Sequence, residues 1–287
     1  MIKKFTVLFV LMVSHFASAQ KPTKIELVHA NILEYDEQTG MKVKRLIGKV
    51  IFKHDNVMLY CDSAYLYSET NLLEAFSNVH IVKTAPSPTP ISEEKEGDNL
   101  NIYSDFLKYD GNTKKAELHG NVKLLHNDMT LTTEHLNQDL NTNIGRYYDG
   151  GNIIDSENNL YSKIGYYYSS TRELFFKDSV VLINPEYTMN SDTLRYNTIS
   201  EIAYFFGPTT IKSKENLIYC ENGWYDTKND LSQFNKNAFI RSKEHTIRGD
   251  SLFYDKNKGY GQAFKNIEIA DTVENIIITG DYAEFFE

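Results

Sequence analysis

The chain has 287 residues, of which 41% are apolar and 24% charged, and carries a formal charge of −9 at pH 7. That length allows one or two domains, and the acidic balance argues against nucleic acid as a partner and against a polybasic grip on an anionic membrane. Twenty Tyr and sixteen Phe against one Trp and six Pro is the composition of a strand-rich chain.

The first element is a leader. Lys3 and Lys4 precede the apolar run Phe5 to Val13, and Ala17-Ser18-Ala19 stands just before Gln20, the pattern of a cleavable secretory signal over residues 1–19. The mature domain is expected over residues 20–287, with cleavage near Ala19/Gln20 and a formal charge of −11 once Lys3 and Lys4 are gone. The apolar run is about half of the ~20 residues that cross a bilayer, and no later run is longer, so a soluble exported protein is expected. Gln rather than Cys follows the small residues, so a lipoprotein anchor is not indicated.

The rest of the chain is a repeat. Met58 to Leu66, Met189 to Tyr196 and Ile247 to Tyr254 share one pattern: aliphatic, any, small, acid, any, apolar, any, Tyr or Leu. Alignment on the acid gives Asp62, Asp105, Glu134, Lys163, Asp192, Glu221, Asp250 and Asp281, with Asn31 as an earlier partial copy. The spacings are 31, 43, 29, 29, 29, 29, 29 and 31. The 43-residue gap contains the Pro- and acid-rich stretch from Thr84 to Glu96, which reads as a loop inserted at 84–98.

A second strand lies between successive acids, as in Gly48-Lys-Val-Ile-Phe52 and Gly120-Asn-Val-Lys-Leu124. Its inward set at period 2 includes Val50, Val122, Val180 and Ile267, followed two residues later by Phe52, Leu124, Leu182 and Ile269. In the acid-centred strand an aliphatic residue stands three before the acid, such as Leu59 or Ile102, and an apolar pair stands two and four after it. Three before and two after fall on opposite faces of a regular pleat, so a bulge or bend is expected where a small residue (Cys61, Ser104, Gly249) meets the acid. Each repeat is then two strands and two turns, the turns marked by stretches such as Asp110-Gly-Asn-Thr113 and Asp226 to Asp230.

About eight such units of ~29 residues, each with a Gly/Asn-x-Val-x-aliphatic strand and an aliphatic-x-small-Asp strand, resemble the OstA-like, LptA-like family across residues 24 to 286. The resemblance implies an all-β, elongated β-jellyroll, a V-shaped double sheet whose apolar interior takes acyl chains. It implies a non-enzymatic periplasmic carrier or bridge for lipopolysaccharide or a similar glycolipid, bound for the outer membrane. The implied partners are that glycolipid and other Lpt-type transport proteins at the jellyroll ends, with head-to-tail self-association also open. Lys163 in the acid series, the inserted loop and the high Tyr content depart from the simplest members. Candidate lipid-contacting residues on the inward face are Val122, Leu124, Val180, Leu182, Leu194, Ile211, Ile240, Leu252 and Ile267.

Catalytic, metal and cofactor sites are not expected. Each rung of the acid ladder offers one acid, Lys163 interrupts it, and a carboxylate accepting backbone hydrogen bonds at a bulge explains it more simply than Ca²⁺. The eight His form no His-x-His or His-Glu-x-x-His, and no Cys-x-x-Cys or Gly-x-Ser-x-Gly occurs. The Tyr series 109, 167, 196, 225 and 254 reads as a core or cross-strand ladder rather than a glycan platform. Cys61 and Cys220 occupy one site in repeats five apart, roughly 24 Å or more, and are not expected to bridge. Two rivals stand beside the carrier: a structural or adhesive β-solenoid with a filled core, and a polysaccharide-processing enzyme on a β-helix.

Overall fold

The computed structural model describes residues 23–36, 43–83, 100–126, 128–168 and 171–286. The leader at 1–19 and the inserted loop at 84–98 lie outside the described residues, although Lys83 and Leu100, which bracket the loop, are paired. Every regular element among the described residues is a strand. In order these are β1 (Glu26–His29), β2 (Ile32–Asp36), β3 (Val43–His54), β4 (Val57–Tyr67), β5 (Leu72–Lys83), β6 (Leu100–Asp110), β7 (Lys115–His126), β8 (Met129–Asp139), β9 (Ile144–Tyr147) and β10 (Gly151–Ile154). There follow β11 (Asn159–Ser162), β12 (Ile164–Tyr168), β13 (Glu173–Ile183), β14 (Tyr187–Asn197), β15 (Ile202–Ser213), β16 (Leu217–Asp226), β17 (Leu231–Arg241), β18 (His245–Asp255), β19 (Tyr260–Asp271) and β20 (Ile276–Phe286).

Each strand pairs antiparallel with the next from β3 to β8 and from β13 to β20. At the irregular Lys163 repeat, β9 and β10 share β8, and β11 and β12 share β13, so each pair is one long strand broken in the middle. β1 and β2 lie end to end along β3 in the same way.

The expected bend is present and repeats. In β4 the buried residues are Val57, Leu59 and Cys61, then Ala64 and Leu66, so the inward face changes parity beside Asp62. The extra residue sits in the neighbouring strand, where two consecutive left-handed residues stand opposite the single acid. These pairs are Gly48-Lys49, Ser77-Asn78, Gly120-Asn121, Asp178-Ser179, Lys236-Asn237 and Lys265-Asn266. Left-handed backbone is unfavourable for most side chains but is tolerated by Gly and Asn. The Asn supplies compensation as well: its amide donates to the opposing acid from Asn78 to Asp62 and from Asn121 to Asp105 at 2.7 Å, from Asn237 to Glu221 at 2.8 Å, and from Asn266 to Asp250 at 2.9 Å. On the inner side, the small residue before the acid donates its hydroxyl to the carbonyl two residues on, as Ser104 does to Phe106 and Ser191 to Thr193. At four of the bends the acid is therefore half of an Asn–acid clasp. The rungs of the acid ladder occupy alternate strands, roughly 10 Å apart.

Because all the long strands bend at one level, the sheet folds along its length into two legs, giving the elongated V-shaped jellyroll. The core lies between the legs in two clusters, one drawn from Ile25 to Tyr147 and one from Leu160 to Ile267. Tyr147 stands at the junction, its hydroxyl 2.6 Å from Ser162 Oγ. Gly151 and Gly165 leave room for its ring, which a Cβ at either position would invade.

Candidate functional site

The two halves share one repeat chemistry and differ in how the mouth of the V is closed. In the first half the strand ends of the two legs are bonded together. His54, at the end of β3, accepts on Nδ1 a 2.6 Å hydrogen bond donated by the hydroxyl of Tyr109, at the end of β6. The other ring nitrogen donates to Thr23, since its 3.1 Å partner is the Thr23 carbonyl, which only accepts. Lys114 pairs with Asp55 at 2.5 Å, and Lys83 donates to the carbonyl of Leu140 at 2.8 Å. The segment 23–25 forms a strap over this seam: the Ile25 amide donates to Asn71 Oδ1, Asn71 donates back to the Thr23 carbonyl, and the Ile25 side chain enters the core. Beneath it, Phe52, Leu73, Ile81 and Tyr109 leave a void of about 10 Å³, too small to hold more than a single water. The first half is a filled interior.

The second half is looser. The one ion pair across the mouth of this half among the described residues, Lys256 to Glu186, is exposed and 4.0 Å long. Exposed pairs of that kind contribute little. The inner face is accordingly half-open: Leu174, Leu182, Ile211, Ile218, Ile240 and Ile247 are only partly buried. Their counterparts in the first half, such as Ile81 and Ile102, are 0–1% exposed.

All nine candidate residues lie on inward positions of the strands. Val122 and Leu124 belong to the closed first cluster, while Val180, Leu194, Leu252 and Ile267 are buried in the second. Only Leu182, Ile211 and Ile240 line the half-open face, where a ligand could touch them without repacking. Ile218 and Ile247, three before their acids, share that face with them and were not among the candidates, although their positions in the repeat identify them as inward. The outward neighbours Lys123, Lys212 and Arg241 are exposed. The Tyr ladder is split: Tyr109 is in the closed core, and Tyr196 and Tyr225 pack at the edge of the second cluster.

Burial pushes the Cys61 and Cys220 thiols up to about 12, so both are poor nucleophiles, and they belong to different clusters. No group of three or more His, Cys, Asp or Glu placed to hold a metal occurs among the described residues.

Among solved structures, one similar to this fold is the crystal structure of LptH, described as the LptA homologous periplasmic component of the conserved lipopolysaccharide transport device from Pseudomonas aeruginosa. It is 10% identical, with 45% of this chain and 94% of that chain covered and a TM-score of 0.33. No curated protein matches the chain. The family described as OstA-like protein matches residues 22–192 and 190–250, which is most of the sequence, and the chain belongs to that family.

Proposed function

We propose that the chain is a non-enzymatic periplasmic carrier that holds the acyl chains of lipopolysaccharide, or of a similar glycolipid, on their way to the outer membrane. Membership of the OstA-like family supports the class of function, and the leader at 1–19 supports the compartment. The observation that carries the lipid assignment is the half-open row Leu182, Ile211, Ile218, Ile240 and Ile247, a continuous aliphatic inner face beside a mouth with little to hold it shut. Burying acyl methylenes there is favourable by roughly 0.8 kcal/mol each, independent of the protein's negative charge. Transfer along such a face makes and breaks no covalent bond, so it asks for no catalytic residue.

The filled first half favours a structural role for residues 23–147. Docking to other Lpt-type proteins, or to a second copy head to tail, is assigned to the sheet edges. Ile277 on β20 is 68% exposed and Tyr35 on β2 is 64% exposed, and unpaired edge strands invite pairing with another chain. The direct test is mass spectrometry of lipid extracted from protein purified out of cell envelopes. Stoichiometric glycolipid is expected, and lipid-free protein that remains folded would overturn the reading.

A further inference from the structure

Directly opposed residues on the outer surface form one row that crosses the sheet from strand to strand. In the first half it reads Arg45, Tyr65, Glu74, Lys108, Glu117 and Asn137, with Lys108 between two acids, as a solvated face should be. Beyond Asn137 the same row becomes Arg146, Tyr166, Phe175, Arg195, Tyr204 and Trp224. Five strand steps place its ends roughly 24 Å apart.

The two guanidiniums in this row lie on aromatic faces. Arg146 is 5.3 Å from the Tyr166 ring centre and 5.7 Å from that of Tyr148, and Arg195 is 4.7 Å from that of Tyr204. Among the described residues Arg146 has no carboxylate partner, and Arg195 has only Glu173 at 3.9 Å. Between them Tyr166, Tyr168, Glu173, Phe175 and Arg195 wall an open cleft of about 310 Å³. Tyr166 and Tyr168 stand parallel, 6.1 Å apart, with Phe175 edge-on to Tyr166 at 6.0 Å. Two arginines against one glutamate leave this patch positive on a chain of net charge −9.

Parallel ring faces suit the apolar C–H face of a pyranose, Glu173 can accept from sugar hydroxyls, and a planar guanidinium pairs bidentately with phosphate or carboxylate. We propose that this stripe, centred on the Tyr166–Arg195 cleft, binds the phosphorylated sugar headgroup of the glycolipid whose acyl chains lie on the inner face. The assignment of the headgroup rests on the function proposed above. Tyr168 is the last residue of its strand and Tyr166 is two residues away, roughly 7 Å, so the cleft is just outside the lip over which a headgroup would emerge.

Trp224 is the single tryptophan of the chain and ends the stripe, its Nε1 donating to Gln233 at 3.1 Å, so intrinsic fluorescence reports on it. The probe is acyl-free, alkali-deacylated lipopolysaccharide oligosaccharide with its phosphates intact. A saturable change in fluorescence is expected, weakened at least tenfold by removing the phosphates, by Arg195→Gln and by Tyr166→Leu, two variants that keep much of the side-chain volume and are checked for unchanged circular dichroism. Ile240→Glu, on the inner face, is expected to bind the oligosaccharide normally, which separates failure of the acyl site from failure of this one. Absence of binding to the wild-type protein, or wild-type binding by Arg195→Gln and Tyr166→Leu, would overturn the proposal. Equal binding of polygalacturonate would overturn the assignment to a glycolipid headgroup.

Discussion

Ile102 and Ile247 each stand three residues before the acid of their repeat, yet one is sealed and the other faces an open mouth, so truncating them separates the two halves energetically. Ile102 is 0% exposed and Ile247 is partly buried. Ile102→Ala removes three carbons, about 2.4 kcal/mol in transfer alone at ~0.8 kcal/mol each. A seam tied by His54–Tyr109 and Lys114–Asp55 resists collapse, so a cavity remains and the total rises to about 3–4 kcal/mol. At Ile247 solvent already reaches the side chain and no closed cavity forms, which leaves about 1 kcal/mol. The assay is urea unfolding followed by far-ultraviolet circular dichroism for the whole sheet and by Trp224 fluorescence for the second half. With an m-value of about 3 kcal/mol/M, Ile102→Ala lowers the midpoint of the first half by about 1 M and Ile247→Ala that of the second by about 0.3 M. Because each repeat contacts mainly its neighbours, the Ile102→Ala shift should be larger by circular dichroism than by fluorescence. Equal losses at the two sites would refute the distinction between a filled and an open half.

Gly120 has φ +75°, and a Cβ there would come within 2.8 Å of Asp105 Oδ2, so Gly120→Ala should cost about 1–3 kcal/mol and lower the thermal midpoint; an unchanged midpoint would contradict the clasp geometry. Cys61 and Cys220, with thiols pushed up to about 12, should resist iodoacetamide at neutral pH in the folded protein and react in urea, and rapid labelling of the native protein would show that they are not enclosed. The Asn229 side chain holds the Asp226 carboxyl below its ordinary 3.8, and the backbone amides of Glu274 and Val273 do the same for Asp271. A depressed folded pKa gives stability that is complete above the unfolded value and is lost as pH falls through the folded one. The thermal midpoint should therefore be flat from pH 7 to about 5 and decline below about 4, less steeply in Asp226→Asn; a decline beginning near neutrality would contradict this origin.

Much of the fold is legible in the sequence because its signals are local. The parity change between Leu59 and Ala64 announces a bend, and Asp110 and Asp226 announce turns in which their carboxylates accept backbone amides two and three residues on. The source of the bend is less legible. Asn121 reads as an ordinary strand residue until the pairing sets it, in a left-handed conformation, opposite an acid sixteen residues earlier. Nor does anything local distinguish Ile102 from Ile247. Their difference arises from what seals the mouth, through contacts such as Thr23 to His54 and His54 to Tyr109 that join residues 31 and 55 apart. The outer stripe escapes notice for the same reason, since Arg146, Tyr166, Phe175 and Arg195 become neighbours only through strand register.

The central claim, that acyl chains lie on the inner face of the second half, is tested most directly by a photo-crosslinking scan in cells. A photoreactive residue at Leu182, Ile211 or Ile240 is expected to capture glycolipid, while Val181, Lys212 and Arg241, turned outward by the strand period, capture little. Val122 and Leu124, enclosed in the filled half, are expected to stay unlabelled. Equal labelling of inward and outward positions, or no labelling at Leu182, Ile211 and Ile240 in a folded protein, would contradict the carrier and leave a structural solenoid.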